Sequence, residues 1–457
     1  MIINCFFFII FIQIEGMKFI SLFLAVFIMA LSSEAQSQFQ FETNKSKIVI
    51  PFKLINNLIF IPIKVNGIEL NFLLDSGVEE TILLSLDDKE EVRFFNVQKI
   101  KMRGLGNEAS IEGLKSTNNL LSINGLTDKN HDLYIVLDQS FNFSSHVGIP
   151  VNGIIGFHFF KNHLVEINYD RKKIIVYQDG DKIRKKLTKK FTAVPITIER
   201  NKPYALANVF LENQSIPAKL LLDLGNSDAV WLFENREKGI EIPKKNFQDY
   251  LGKGFSGDIN GSRARISRLK IAQFEFENPI IAFPDSSSIK SVSMVKERLG
   301  SIGGEIFKRF LVILDYPNQK MFLKKSSHYN AKFDYNMSGI ELQNEGLQWV
   351  QETIPLQTIL LNNNFAGSGE KTASQFRYKF VLKPIYTISN IRKDSPAQLS
   401  GLQKGDIIIS INNVSGYRYS LQDINALLKS EEGKWLNFEV ERKSQLLKYK
   451  FQLKSML

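Results

Sequence analysis

Cysteine is nearly missing from this chain of 457 residues, with Cys5 the single example. It lies in an apolar stretch near the start. The remainder therefore forms no disulfide and offers no thiolate nucleophile or cysteine metal ligand. A chain this long buries enough apolar surface to fold without disulfides, and its length implies two or three domains. Histidine is scarce as well: His131, His146, His158, His163 and His328 are the full set. None stands in a His-Glu-x-x-His pattern, and His158 and His163 are five apart, which argues against a zinc hydrolase and for structural roles. No Gly-x-Ser-x-Gly turn and no phosphate-binding Lys loop occurs, so the signatures of serine hydrolases and P-loop enzymes are missing. Gly252-Lys253-Gly254-Phe255-Ser256-Gly257 does spell Gly-x-Gly-x-x-Gly. A turn at Asp258-Ile259-Asn260-Gly261 and strand-like alternation from Ala264 to Leu269 follow it, where a dinucleotide site needs a helix.

Long apolar runs are also lacking. Cys5 to Ile14 and Phe19 to Leu31, split by Glu15-Gly16-Met17-Lys18, each fall short of the roughly 20 residues of a spanning helix. Read from Met17, the layout is Lys18, an apolar core, then Ser32-Ser33-Glu34-Ala35-Gln36. That is the pattern of a signal peptide over residues 1–36, with cleavage after Ala35 and residues 1–16 an over-extended start. The expectation is export to a periplasm, a cell surface or the medium; a membrane anchor is the alternative. The net charge of +11 is spread along the chain, apart from Lys182 to Lys190, which reads as a solvated linker. No nucleic-acid motif accompanies it, so no nucleic-acid partner is expected.

What the chain does contain is a repeat. Leu70-Asn71-Phe72-Leu73-Leu74-Asp75-Ser76-Gly77 carries a carboxylate out of an apolar strand into a small-residue turn, where glycine lets the backbone bend. Lys219-Leu220-Leu221-Leu222-Asp223-Leu224-Gly225 does the same 148 residues on (223 − 75). A second pair of segments, Gly153-Ile154-Ile155-Gly156 with Phe160-Lys161, and Gly300-Ser301-Ile302-Gly303 with Phe307-Lys308, is offset by 147 (303 − 156). Two blocks at nearly one offset mean a duplicated, domain-sized unit.

Over about residues 48 to 326 this pattern resembles the pepsin and retropepsin superfamily of aspartic peptidases, in which each lobe supplies one Asp-Thr/Ser-Gly turn beside an apolar-apolar-Gly segment. The resemblance implies a mostly β, two-lobed acid-protease β-barrel fold. Its lobes would cover 37–185 and 186–328. Asp75 and Asp223 would be the catalytic pair, with Ser76, Gly77, Leu224 and Gly225 supporting the turns. Leu224 departs from the family pattern, because leucine carries no hydroxyl to tie the second turn to the first. Gly104, Leu105 and Gly106, some 30 residues after Asp75, match the place of the family's cleft-covering flap. Asp228, just past the second turn, reads as a capping carboxylate. Like charges about 3 Å apart share one proton, so such a pair activates water without a metal or any other cofactor.

The last part is different. Tyr386 to Ile391, then Ser395-Pro396-Ala397-Gln398-Leu399-Ser400-Gly401-Leu402 and Lys404-Gly405-Asp406-Ile407-Ile408, resemble a PDZ domain. The resemblance implies a PDZ unit over 329–457, with a groove helix from Ser420 to Ser430 and closing strands from Trp435 and Leu446. Ser338, Gly339, Ile340, Glu341 and Leu342 would form the loop and strand that receive a peptide carboxylate. Residues 344–380 would be an insertion, read as a mobile loop from the Asn, Gln and Gly content near Asn362 to Ser374.

Three readings follow. The first is a monomeric, exported aspartic endopeptidase whose PDZ domain recruits peptide or substrate. The second is a non-catalytic peptide binder on a degenerate protease scaffold, for which Leu224 is the argument. The third is a homodimer that pairs one lobe's Asp across a two-fold axis, which the internal duplication makes unnecessary.

Overall fold

The computed structural model describes residues 37–42, 45–84, 91–102, 111–137, 142–178, 180–212, 214–254, 257–290, 294–355 and 376–457. Among these the protein is mostly β and forms four sheets. After β1 (Lys47–Pro51) come β2 (Leu58–Val65) and β3 (Ile68–Leu74). Asn66 and Gly67 join β2 to β3 with φ of 49° and 96°, the two positive values that a tight hairpin of this hand requires. β3 buries Leu70, Phe72 and Leu74 at alternate positions and runs straight into the Asp75 turn. β4 (Thr81–Leu83) leaves that turn, and the chain returns through β5 (Leu126–Val136), α1 (Phe143–Val147) and β6 (Gly153–Ile155). β6 slots between β3 and β4: Ile154 lies opposite Leu73 in a parallel pair and opposite Ile82 in an antiparallel one.

β7 (Leu164–Asn168), β8 (Lys173–Tyr177) and β9 (Thr192–Pro195) lead to the second repeat. It contains β10 (Lys202–Leu211), β11 (Gln214–Leu222), β12 (Val230–Leu232), β13 (Asn246–Gly254), β14 (Gly257–Arg265), β15 (Ile280–Pro284) and β16 (Arg298–Ile302). β16 repeats the role of β6. Ser301 lies opposite Leu221 in a parallel pair and opposite Trp231 in an antiparallel one.

A six-stranded sheet of order β9-β18-β17-β7-β8-β1 joins the repeats, with β17 (Phe310–Asp315) and β18 (Lys320–Lys325). In its central pair Glu166 faces Ile313. These two residues are 147 apart (313 − 166), so equivalent positions meet at the centre of the joint. One apolar cluster, from Phe39 to Leu323, runs through both repeats.

The C-terminal sheet has the order β19-β20-β21-β22-β23: β19 (Ile340–Pro355), β20 (Phe376–Ile391), β21 (Ile407–Ile411), β22 (Trp435–Arg442) and β23 (Gln445–Gln452). α2 (Leu421–Leu428) starts at Ser420, whose hydroxyl accepts from the Asp423 amide while the Asp423 carboxylate accepts from Ser420. Arg442 donates to both oxygens of buried Asp406, at 2.6 and 2.7 Å, and so ties β22 to the turn before β21. Phe247 and Ile280 of the second repeat belong to this sheet's apolar cluster, so the C-terminal unit packs directly on that repeat.

The basic run read as a solvated linker is helical over Asp181–Thr188: Lys182, Lys185 and Lys186 are exposed, while Ile183 and Leu187 pack on an apolar cluster. Arg184 donates from Nε to buried Asp315 at 2.6 Å. The insertion expected over 344–380 has strand at both flanks, and the Asn362–Ser374 stretch read as a mobile loop lies outside the described residues. Its flanks pair as an antiparallel ribbon, Trp349 opposite Leu382 and Gln351 opposite Phe380, and residues 356–375 lie outside the described set.

Candidate active site

The parallel pairs set the two turns. The Asp75 amide donates to Ile155 O at 2.8 Å, and the Asp223 amide donates to Ile302 O at 2.9 Å. Within each turn the glycine amide donates back to the carboxylate two residues earlier, Gly77 to Asp75 Oδ1 at 2.7 Å and Gly225 to Asp223 Oδ1 at 3.1 Å. Both carboxyl groups are thereby aimed along the turn, and the turns face each other. A Cβ added to Gly225 would sit 2.2 Å from Asp75 Oδ2, and one added to Gly77 would sit 3.0 Å from Asp223 Oδ1. Glycine is required here because each opposing carboxylate occupies the space a side chain would take. Both Asp residues are half-buried, and each carboxyl group lies against the glycine of the opposite turn.

Ser76 ties the turns together from beneath. Its buried hydroxyl donates to Leu222 O at 2.6 Å and accepts from the Leu224 amide at 3.0 Å. Leu224 returns no such bond and instead packs, 1% exposed, in the apolar core. The departure at Leu224 thus leaves a one-sided tie.

Burial, and next the neighbouring Asp223 charge, push Asp75 up to about 8. Burial raises Asp223 too, against the Arg298 charge and the Gly225 amide. The two carboxyl groups titrate as a pair that shares a proton.

Two further contacts across the repeats were not read from the sequence. Asn57, at a hairpin tip with φ of 66°, donates from Nδ2 to Ser227 O and to Glu305 Oε2, both at 2.9 Å. Asn201, at the matching tip with φ of 59°, donates to Glu79 Oε1 at 2.6 Å. Each repeat's first hairpin thus grips the segment just after the other repeat's Asp turn. An Asn 144 residues from another Asn (201 − 57) was the available signal.

Asp228 accepts from Trp231 Nε1 at 2.7 Å and pairs with Arg263 at 2.7 Å. Arg263 also pairs with Asp249 at 2.7 Å, and Asp249 with Arg392 at 3.0 Å. The Gly104-Leu105-Gly106 segment lies outside the described residues. Its counterpart, the β13–β14 hairpin, is held down by the C-terminal unit, with Phe247 against Tyr335 at 5.2 Å between ring centroids and Arg392 over the Phe247 ring at 4.2 Å. His131 is buried between Asp128 and Thr81, with ring nitrogens 2.8 and 2.6 Å from their oxygens, and pins β4 to β5. Among the described residues, no group of three or more His, Cys, Asp or Glu side chains is arranged to hold a metal.

In the loop expected to receive a peptide carboxylate, the amides find partners within the loop itself. The Ser338 and Gly339 amides donate to Asn336 Oδ1 at 3.0 and 3.2 Å, and the Ile340 amide donates to Ser338 Oγ at 3.1 Å. Asn336 reaches the amides two and three residues ahead, as short Asx side chains do. Ile340 and Leu342 are buried in the C-terminal core. Glu341 lines a cavity, where burial and the Asp249 charge raise it to about 7.

Among curated proteins none matches this sequence. A solved aspartic proteinase from Irpex lacteus is similar over 62% of this chain and 99% of that one, at 13% identity and a TM-score of 0.42. Residues 387–442 match the family model of the PDZ domain, and the C-terminal unit is identified as one on that ground.

Proposed function

We propose that this chain is an exported aspartic endopeptidase that hydrolyses peptide bonds between Asp75 and Asp223. One observation carries the reading: two carboxyl groups from equivalent turns face each other, each lying against the glycine of the opposite turn. Water bound between them gives a proton to ionised Asp223, and its oxygen attacks the peptide carbon. Protonated Asp75 gives its proton to the carbonyl oxygen. When the tetrahedral diol collapses, the proton on Asp223 passes to the leaving amine and a diol proton returns to Asp75. No covalent enzyme intermediate forms. Both carboxyl groups come from one chain, which supports a monomer as the working unit. Export rests on the layout of residues 17–36, and the PDZ domain supports a peptide-binding role.

The test is cleavage of a peptide library by the chain from Gln36 onward, from acidic to weakly basic pH, beside Asp75→Asn and Asp223→Asn. The parent cuts, and each variant loses about a thousandfold or more. A parent that binds peptides without ever cutting them overturns the reading in favour of a binder.

A further inference from the structure

The PDZ groove, between the edge of β19 and α2, is covered by the chain itself. α1 and the turn after it come from the first repeat and lie against this groove. Gln422, on the first turn of α2, donates from Nε2 to Val147 O at 2.7 Å. Gly148, with φ of 78°, backs onto Leu421 so closely that a Cβ there would be 3.0 Å from the Leu421 Cβ. Val147 and Phe143 share the wall of a cavity of about 230 Å³ with Leu342 of β19 and with Asn425 and Lys429. Leu421, Asn425 and Lys429 are spaced four apart, so the α2 face toward β19 is the face α1 meets. The end-group loop beside this groove has its amides filled by Asn336 and Ser338.

The covering segment is continuous with the candidate catalytic turn. Five residues after Val147, Asn152 exchanges backbone and side-chain hydrogen bonds with Asn71, at 2.8 and 3.0 Å, and β6 then holds the Asp75 amide. On the other side, the Arg392 amide donates to Gly339 O at 2.7 Å, and the Arg392 side chain leads through Asp249 and Arg263 to Asp228, five residues past Asp223. Arg392 and Asp249 are 3% and 8% exposed, so this chain of charges is little screened.

We propose that the PDZ groove is the binding site of an internal ligand, Asn142–Gly148 of the first repeat, and that an outside peptide and this segment exclude one another. Bound in this way, the PDZ domain braces both Asp turns at once, a consequence that rests on the peptidase reading. A peptide that takes the groove releases α1 and loosens the strand holding Asp75.

Hydrogen exchange on the chain from Gln36 onward, made catalytically silent by Asp75→Asn, tests the docking apart from any cleavage. Residues 143–148 and 341–347 are protected together. Gln422→Ala, which removes one hydrogen bond, speeds exchange of both segments about fivefold while β7 and β17 stay protected. Because Cys5 precedes this chain, Gly148→Cys with Leu421→Cys reports the same contact independently. The oxidised pair cross-links, and in that state an array of peptides with free C-terminal carboxylates gains no binding. Peptide binding by the cross-linked protein, exchange of 143–148 that ignores Gln422→Ala, or absence of the cross-link overturns the proposal. Cleavage by the parent is scored separately, so a failed peptidase reading is distinguished from a failed docking.

Discussion

Replacing Ser76 by alanine tests whether the one-sided tie holds the two turns. The hydroxyl is 1% exposed and makes two hydrogen bonds, to Leu222 O and from the Leu224 amide. Alanine leaves both backbone groups buried without a partner, at about 1–3 kcal/mol each, so the expected loss is about 3 kcal/mol. In a unit of roughly 280 residues, spanning both repeats, that lowers the melting temperature by about 6 °C. Ser76→Thr keeps the hydroxyl and stays within about 1 kcal/mol of the parent, which separates the hydrogen bonds from the space they occupy. Calorimetric melts near neutral pH read the difference without any assumption about activity. An alanine variant that melts with the parent, or a threonine variant as damaged as alanine, refutes the account of Ser76 as the tie.

The two turn glycines are predicted to differ: Gly225→Ala places a methyl 2.2 Å from Asp75 Oδ2, against 3.0 Å from Asp223 Oδ1 for Gly77→Ala. Cleavage rates therefore fall much further in the first, and equal losses would contradict the facing-turn geometry. Asp75 is raised to about 8 when folded from 3.8, so the folded chain binds the extra proton and stability falls as pH rises between these values. Denaturant melts of Asp75→Asn gain on the parent from acid toward pH about 8, and a constant gap across that window rules the shift out. Arg298 opposes the rise at Asp223, so Arg298→Met moves the acid limb of the cleavage profile to higher pH. An unmoved limb places the Arg298 charge outside the reaction.

How much of this was legible follows from what each feature depends on. The shared offset of the Asp turns and the Gly156 and Gly303 segments already contained the parallel pairing of β3 with β6 and of β11 with β16, because both blocks are local strand-and-turn patterns. The PDZ resemblance placed the groove helix from Ser420, and α2 begins there. The helix at Asp181–Thr188 was hidden because Ile183 and Leu187, four apart, sit among lysines that dominate the composition. The ribbon beyond Asn344 was not read because Leu347, Trp349, Phe380 and Leu382 alternate in strand fashion yet stay exposed, so no burial pattern marks them. Asn57, Asn201 and the docking of α1 depend on residues more than a hundred positions apart, and no local pattern encodes such contacts.

The duplication accounts for the geometry of the site and leaves its chemistry to the neighbours. Equivalent backbones bring two carboxyl groups together, and a perfectly symmetric surrounding would give each the same hold on the shared proton. The surroundings differ at matched positions. Arg298, whose charge opposes the rise at Asp223, corresponds at the 147-residue offset to Val151, which is buried and uncharged. The hydroxyl of Ser76 corresponds to the side chain of Leu224, so the tie is made from the first turn alone. A fixed positive charge near only one carboxyl favours ionisation there and leaves the proton on the other. Direction in the proposed proton transfers, from water to Asp223 and from Asp75 to the carbonyl oxygen, therefore comes from the residues at which the two repeats have diverged.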